Sequence, residues 1–284
     1  MVLRSAVICA AVLLSTASTL LAAAPAHAAG GVNDASCRPS ADHPNPVVFL
    51  HGLGANKDED LNVLQADVAA QGYCTYSLTY GTGAYGPFVG GVGDIARSAA
   101  QIKAFVQDVL ARTGAAKVDL VGHSEGGFQT LYVTKTQGIA DRIDKVVAIA
   151  PPTHGTTFAG LYRLGMTLGA DELAGQVLTA FGCIACTQLV TDGSAVRTLT
   201  DGPIAQPGVT YTIIQSRYDE LVTPTETSFV REPGVTNTYV QDVCPYDPVG
   251  HIGEAYDTNV WHLVKNALDP ANATTFTCSV GSPG

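Results

Sequence analysis

Basic residues are scarce in this chain. Fifteen lysines and arginines stand against 25 acidic residues, a net charge of −10. Such a surface suits neither nucleic acid nor an anionic membrane face, so no nucleic-acid partner is expected. After residue 28 no apolar run is long enough to cross a bilayer, which excludes a later membrane span. There is no internal repeat and no composition break that would act as a linker. Cys183-Ile-Ala-Cys186 has no second C-x-x-C and no histidine pair nearby, so neither zinc nor any other metal or cofactor is expected. Gly81-Thr-Gly-Ala-Tyr-Gly86 matches G-x-G-x-x-G, but Pro87 and further glycines delay the next helix to about Asp94. A pyrophosphate would then lack the helix N-terminus it needs, and the stretch reads instead as a mobile loop.

What is present begins with an export pattern. Met1 to Ala28 carries Arg4, an apolar run from Ala6 to Leu21 and an Ala26-His-Ala28 ending, as a cleaved signal peptide does. Threonines and serines interrupt the run, so no stable membrane anchor is expected. Cleavage leaves residues 29–284, which is 284 less 28, or 256 residues, enough for one domain with a full core. The charge then becomes 14 less 25, or −11. Six cysteines remain, an even number in an oxidising compartment, and three disulfides are expected: Cys37 to Cys74, Cys183 to Cys186 and Cys244 to Cys278.

The hydrophobic pattern alternates between strand and helix. Pro46–Leu50, Tyr73–Tyr80, a run from Val118, Val146–Ala150, Val209–Gln215 and Thr238–Val243 read as strands. Asp58–Gln71, Asp94–Thr113, Phe128–Gln137 and Glu254–Leu268 read as helices, with Gly114 stopping the second. This order predicts an α/β fold, a mostly parallel sheet of about six strands with helices on both faces. Residues 156–200 are too long for a simple crossover and strongly apolar, including Phe158, Leu161, Leu164 and Phe181. They read either as a short cap lining an acyl groove or as packing against the sheet.

Gly122-His-Ser-Glu-Gly126 follows the strand from Val118 and fits the G-x-S-x-G turn that lifts a nucleophilic serine between a strand and a helix. Ser124 is therefore the candidate nucleophile. A serine hydroxyl needs an imidazole to take its proton and a carboxylate to orient that imidazole, in the chain order Ser, acid, His. Asp219, after the strand ending at Gln215, is the candidate acid, with Glu220 and Glu226 as rivals. His251, between the last strand and the closing helix, is the candidate base; His154 precedes the acid, and His262 lies within a helix. The developing oxyanion needs two N–H donors. Glu125 directly after the serine offers one, and Leu53 in Phe49-Leu-His-Gly-Leu-Gly54 offers the other unless that stretch is a plain glycine turn.

Taken together, Val48–Gly54, Val121–Gly127, Ala150-Pro-Pro-Thr-His-Gly-Thr156, Tyr218-Asp219 and Gly250-His251 resemble the secreted bacterial lipases of the α/β-hydrolase superfamily, especially the class 2 lipases. The resemblance covers most of residues 29–284. It implies an α/β-hydrolase fold, a triad of Ser124, Asp219 and His251, and an oxyanion hole from the Leu53 and Glu125 amides. It also implies hydrolysis of acylglycerols, with a lipid or other ester as substrate at an oil–water interface, by a secreted, extracellular protein expected to be a monomer. Glu125 departs from the Met or Gln common after the serine in such lipases, and its carboxylate is expected to alter the charge near His251. A short-chain esterase, a polyester or cutin hydrolase, an acyltransferase and a peptidase would use the same machinery, and a non-catalytic binding module could share the fold.

Non-reducing peptide mapping should recover the three cysteine pairs named above. Any other connectivity would overturn that assignment.

Overall fold

Val47–Leu50 is apolar at every position because both faces of its strand are covered. Val47 and Phe49 face one layer of helices while Val48 and Leu50 face the other, the two-residue alternation of a pleated strand. In the computed structural model, residues 31–157, 182–275 and 277–281 are described. The expected signal segment and residues 158–181 of the expected cap lie outside them.

The sheet contains β1 (Gly31–Val32), β2 (Val47–Leu50), β3 (Cys74–Ser77), β4 (Val118–His123), β5 (Ile143–Ile149), β6 (Thr210–Gln215) and β7 (Val235–Tyr239). Its order is β1-β3-β2-β4-β5-β6-β7, and every pairing is parallel. The α/β expectation holds, with seven strands rather than about six. The addition is β1, whose two residues pair with Cys74 and Thr75 and were too few to leave a periodic pattern. Helices α1 (Asn62–Ala70) and α7 (Thr258–Leu268) cover one face through Leu64, Val68, Val260 and Val264. Helices α2 (Ile95–Thr113) and α3 (Glu125–Thr136) cover the other through Ile95, Ile102, Val106, Phe128 and Leu131.

Several boundaries move for identifiable reasons. Helix α3 starts at Glu125, ahead of the expected Phe128, directly out of the serine turn. Helix α1 starts only at Asn62, after turns in which Asp60 adopts φ 61°. Helix α7 starts at Thr258 because the Asp257 carboxylate caps it, accepting from the N–H groups of Asn259 and Val260; the expected start at Glu254 falls in a separate 3₁₀ turn, Gly253–Ala255. The strand expected over Thr238–Val243 ends at Tyr239, and Val240–Val243 forms the single-turn helix α6. The strand expected to reach Tyr80 stops at Ser77, and Tyr80 turns instead toward the end of β2. By contrast, α2 has the expected limits: the Asp94 side chain accepts from the Arg97 N–H at its start, and Gly114 leaves it with φ 73°.

Within 182–200, α4 (Ile184–Gln188) and α5 (Ser194–Thr200) are short helices. Cys183–Cys186 closes the start of α4, Cys37–Cys74 ties the N-terminal segment to β3, and Cys244–Cys278 holds the C-terminal tail.

Connections leave β2 and β4 in opposite directions along the sheet, so the crevice at their carboxyl ends is the topological switch point, where α/β sheets bind ligands. The chain is drawn very tight there. A Cβ on Gly122 would collide with the Gly126 carbonyl, and one on Gly126 with the Leu50 and His51 carbonyls. Gly126→Ala should therefore cost about 3 kcal/mol or more in denaturant unfolding, as severe overpacking does. Gly114→Ala has positive φ but open space around it and should cost only about 1 kcal/mol. Equal losses would show that backbone conformation, not close approach, selects glycine in the turn.

Candidate active site

Ser124 adopts φ 56° and ψ −121°, outside the relaxed regions for a residue with a side chain. The turn is held by the Ser124 N–H donating to the Ile149 carbonyl at 2.8 Å and by the Phe128 N–H donating to the Ser124 carbonyl at 3.0 Å. This geometry directs the hydroxyl to His251, whose Nε2 lies 2.8 Å from Oγ. On the far side of the ring, Nδ1 is 2.8 Å from Asp219 Oδ2. A carboxylate can only accept, so Nδ1 carries the hydrogen and Nε2 is left to accept from the serine. The other carboxylate oxygen, Asp219 Oδ1, accepts from Leu221 and Val222 N–H, each at 2.8 Å, which fixes the acid in the loop after β6. Asp219 and His251 are both buried.

The rival residues fall elsewhere. Glu220 and Glu226 are exposed, although Glu220 accepts from the His251 backbone N–H at 3.4 Å. His154 is exposed and bonds the Phe229 carbonyl, while His262 lies on α7 against Thr274.

Leu53 and Glu125 line the same cleft as Ser124 and His251. Among the described residues, neither of their backbone N–H groups meets an acceptor. The Glu125 amide also stands at the first turn of α3, where the helix dipole favours negative charge. The cleft is open, about 430 Å³, with an apolar wall that includes Leu53, Leu189, Leu221, Val222, Ile252 and Tyr256. Leu189 is the part of the expected cap seen here; residues 158–181 are outside the described structure. Gly81–Gly86 lies in a loop stitched beside Leu53, with Gly54 N–H donating to Gly90 O at 2.9 Å and Gly90 N–H to Ala55 O at 2.8 Å.

Two acids that sequence patterning left unassigned lie behind these groups. Asp60 Oδ2 accepts from Gly52 N–H at 2.6 Å and Oδ1 from His123 Nδ1 at 2.8 Å. The other His123 nitrogen, Nε2, is 2.9 Å from the His251 carbonyl. Both ring nitrogens thus face acceptors, so His123 is a buried imidazolium paired with the Asp60 carboxylate. Burial alone would lower the His123 pKa, but the charge and hydrogen bond of Asp60, with the His251 carbonyl and Asp219, raise it above the usual histidine value. Burial would raise Asp60, but His123 and the Gly52 N–H hold it below the usual carboxylate value. The pair joins the loop after β2 to the loop carrying His251. The acidic residues near position 60 gave no hint of this, because nothing local distinguishes Asp60 from Asp58 or Glu59.

Glu254 is the second. It is fully buried beside Asp219, and among the described residues its carboxyl oxygens make no hydrogen bond of normal geometry, the nearby Ser216 N–H being donated to Gln215 Oε1 at 2.9 Å. Burial, reinforced by the Asp219 charge, raises its pKa well above the ordinary value, so it stands as a neutral acid. With Asp219 and His251 it forms the group of metal-ligand types found among the described residues, their ligand atoms within 4.8 Å. The His251 Nδ1 and Asp219 Oδ2 atoms are already committed to each other.

The sheet order, the strained serine turn and the acid and base on later loops define an α/β-hydrolase. Residues 44–263 match the class 2 lipases, and the chain belongs to that family. It is 32% identical over 175 residues to a triacylglycerol lipase of Pseudarthrobacter phenanthrenivorans, covering 56% of this chain and 51% of that protein. A triacylglycerol lipase of Burkholderia plantarii shows 32% identity over 175 residues, covering 56% and 46%. The match thus spans about half the length of these curated relatives. Among solved structures, Aspergillus fumigatus lipase B aligns with a TM-score of 0.61 at 18% identity, covering 84% of this chain and 57% of that one, a likeness of fold.

The Asp60–His123 pair makes a pH-dependent prediction. Asp60 has a lowered folded pKa, so its contribution is present above the unfolded value and lost as pH falls through the folded one. His123 has a raised folded pKa, so its contribution is present below the unfolded value and lost as pH rises through the folded one. The stability gap between the native protein and Asp60→Asn should be greatest between about pH 4 and about pH 6.5. It should narrow on both sides, and a gap flat across pH in chemical denaturation would contradict an ionised pair.

Proposed function

We propose that this protein is a secreted serine hydrolase of carboxylic esters, acting on acylglycerols through an acyl-enzyme. The observation that carries this reading is the hydrogen-bonded chain from Ser124 through His251 to Asp219, set in an apolar cleft beside two uncommitted amides. His251 Nε2 takes the Ser124 proton as Oγ attacks the ester carbonyl, and the carbonyl oxygen gains its negative charge between the Leu53 and Glu125 N–H groups. The imidazolium returns the proton to the leaving alcohol, and the acyl group stays on Ser124. A water molecule then repeats the sequence, releasing the carboxylic acid and restoring the serine.

The family and the relatives named triacylglycerol lipases support acylglycerols as substrate. The apolar wall of the cleft supports an acyl chain lying along Leu53, Leu221, Val222 and Ile252. Leu189, within the stretch 156–200 expected to form a cap, borders that cleft. Three disulfides support an oxidising, extracellular setting. No helix among the described residues is long and apolar enough to cross a membrane.

A fluorophosphonate probe should label Ser124 in the native protein and not in Ser124→Ala, which should lose at least roughly 10⁴-fold in kcat/KM. The native protein should also cleave emulsified triolein and long-chain nitrophenyl esters. Cleavage of acetate and butyrate esters alone would replace the lipase reading with a short-chain esterase, and an unlabelled Ser124 would favour a binding module.

A further inference from the structure

Glu125 has a second feature besides its backbone N–H. Its side chain, whose carboxylate was expected to alter the charge near His251, runs under the loop that follows β2 and bonds to Tyr80 and Gln129. The carboxyl is fully buried, and among the described residues no lysine or arginine pairs with it. Oε1 accepts from Gln129 Nε2 at 2.9 Å, while the same Nε2 also reaches the Ile95 carbonyl at 3.2 Å. Oε2 lies 2.6 Å from Tyr80 Oη, which in turn lies 2.6 Å from the His51 carbonyl oxygen.

Counting hydrogens fixes the protonation state. Tyr80 Oη has one hydrogen to give, and the His51 carbonyl can only accept. If that hydrogen went to a Glu125 carboxylate, two bare oxygens would stand 2.6 Å apart at His51. Both short contacts are satisfied when Glu125 Oε2 carries a proton and donates it to Tyr80 Oη, and Tyr80 donates to His51 O.

The peptide between His51 and Gly52 is thereby held at both polar atoms. Its carbonyl takes the Tyr80 hydrogen, and its N–H donates to Asp60 Oδ2 at 2.6 Å. The next peptide carries the Leu53 N–H. Contact between the layers is close: a Cβ on Gly91 would lie 3.1 Å from Glu125 Oε2, from the Gly52 carbonyl and from Leu53 Cα.

We propose that the Glu125 side chain, as a neutral carboxylic acid acting through Tyr80, is a positioning residue that holds the Leu53 amide in register with the oxyanion. This rests on the reading of Leu53 and Glu125 as the oxyanion donors. One residue then serves both halves of the hole: its own N–H is one donor, and its side chain aligns the other. Removing the Oε2 proton obliges Tyr80 to turn its hydrogen to the carboxylate. The His51 carbonyl is left without a donor, and the Leu53 amide loses its alignment. The loss falls on the transition state, so kcat should drop while KM moves little.

The surroundings agree with a proton held through neutral pH. Burial pushes the Glu125 carboxyl up to about 8, against the Tyr80 and Gln129 hydrogen bonds. The other ionisable groups around the relay are Tyr80, His51 and Asp60; the Tyr80 phenol is raised well above its ordinary value by burial, by Glu125 and by the Asp60 charge. The His51 ring stacks on Tyr80 at 4.4 Å, and its pKa is lowered by burial, so it adds no charge at alkaline pH. Asp60 is already a carboxylate, and its charge on Tyr80 stays constant there.

The test is the pH dependence of kcat and KM on a soluble ester for the native protein, Glu125→Gln and Tyr80→Phe. In the native protein kcat should fall on the alkaline side with a midpoint near pH 8, KM changing less than about twofold. The glutamine Nε2 can donate to Tyr80 at every pH, so Glu125→Gln, whatever its absolute rate, should lose that limb up to about pH 9.5. Tyr80→Phe should lower kcat about tenfold or more with KM nearly unchanged. An alkaline limb that persists in Glu125→Gln overturns the proposal, as does a Tyr80→Phe loss confined to KM. Infrared difference spectra supply a readout that needs no turnover. The protonated-carboxyl band at pH 6 should lose intensity on substitution of Glu125 by Gln, and no such loss overturns the neutral acid. A native protein that shows the band but hydrolyses no ester would instead refute the proposed function. If Glu125→Gln does not fold, the Tyr80→Phe kinetics decide the matter: a loss in kcat sustains the proposal and a loss confined to KM overturns it.

Discussion

The structure depends on how closely three backbone segments approach one another at the head of β4. Helix α3 begins against the end of β2, with Gly126 on the Leu50 and His51 carbonyls and Gly122 against Gly126 itself. No side chain fits at either glycine, and Ser124 between them is held at φ 56°. That compression brings Ser124, the start of a helix and the loop after a neighbouring strand into one place. The rest of the sheet and its covering helices anchor the strands so that the strained turn cannot relax.

Behind this contact, two buried acids act on one peptide in opposite charge states. Asp60 is ionised because His123, itself charged, sits against it. Glu125 is surrounded by neutral donors and acceptors, and burial favours its uncharged form. The same side-chain chemistry thus yields an anion on one side of the His51–Gly52 peptide and a hydrogen-bond donor on the other. Neighbours, more than residue type, decide which, as for any carboxyl group removed from water.

Much of this was legible in the sequence where the cause is local. The unbroken apolar runs of Val47–Leu50 and Val146–Ile149 mark strands buried on both faces, and Asp94 with Gly114 brackets α2. The order of Ser124, Asp219 and His251 follows from the chain direction through a parallel sheet. What could not be read depends on partners far along the chain. Tyr80 looked like the end of a strand, but its hydroxyl belongs to His51 and Glu125. Asp60 resembles any acid in a polar turn until His123, 63 positions later, meets it. Glu254 looked like the start of a helix, yet it is buried against the acid loop, a consequence of the Asp257 cap displacing the helix. The two-residue β1 has no period to detect.

The register between β2 and β4 has a geometric consequence. Leu50 lies opposite Gly122 across the ladder, and Leu53 and Glu125 each follow their strand residue by three positions. The two amides thus leave adjacent strands, about 4.8 Å apart, by turns of equal length, and the Tyr80 and Asp60 contacts hold the turn that carries Leu53. Inserting one residue in either turn would offset one amide against the other by a full backbone step, whatever side chain the insertion carried.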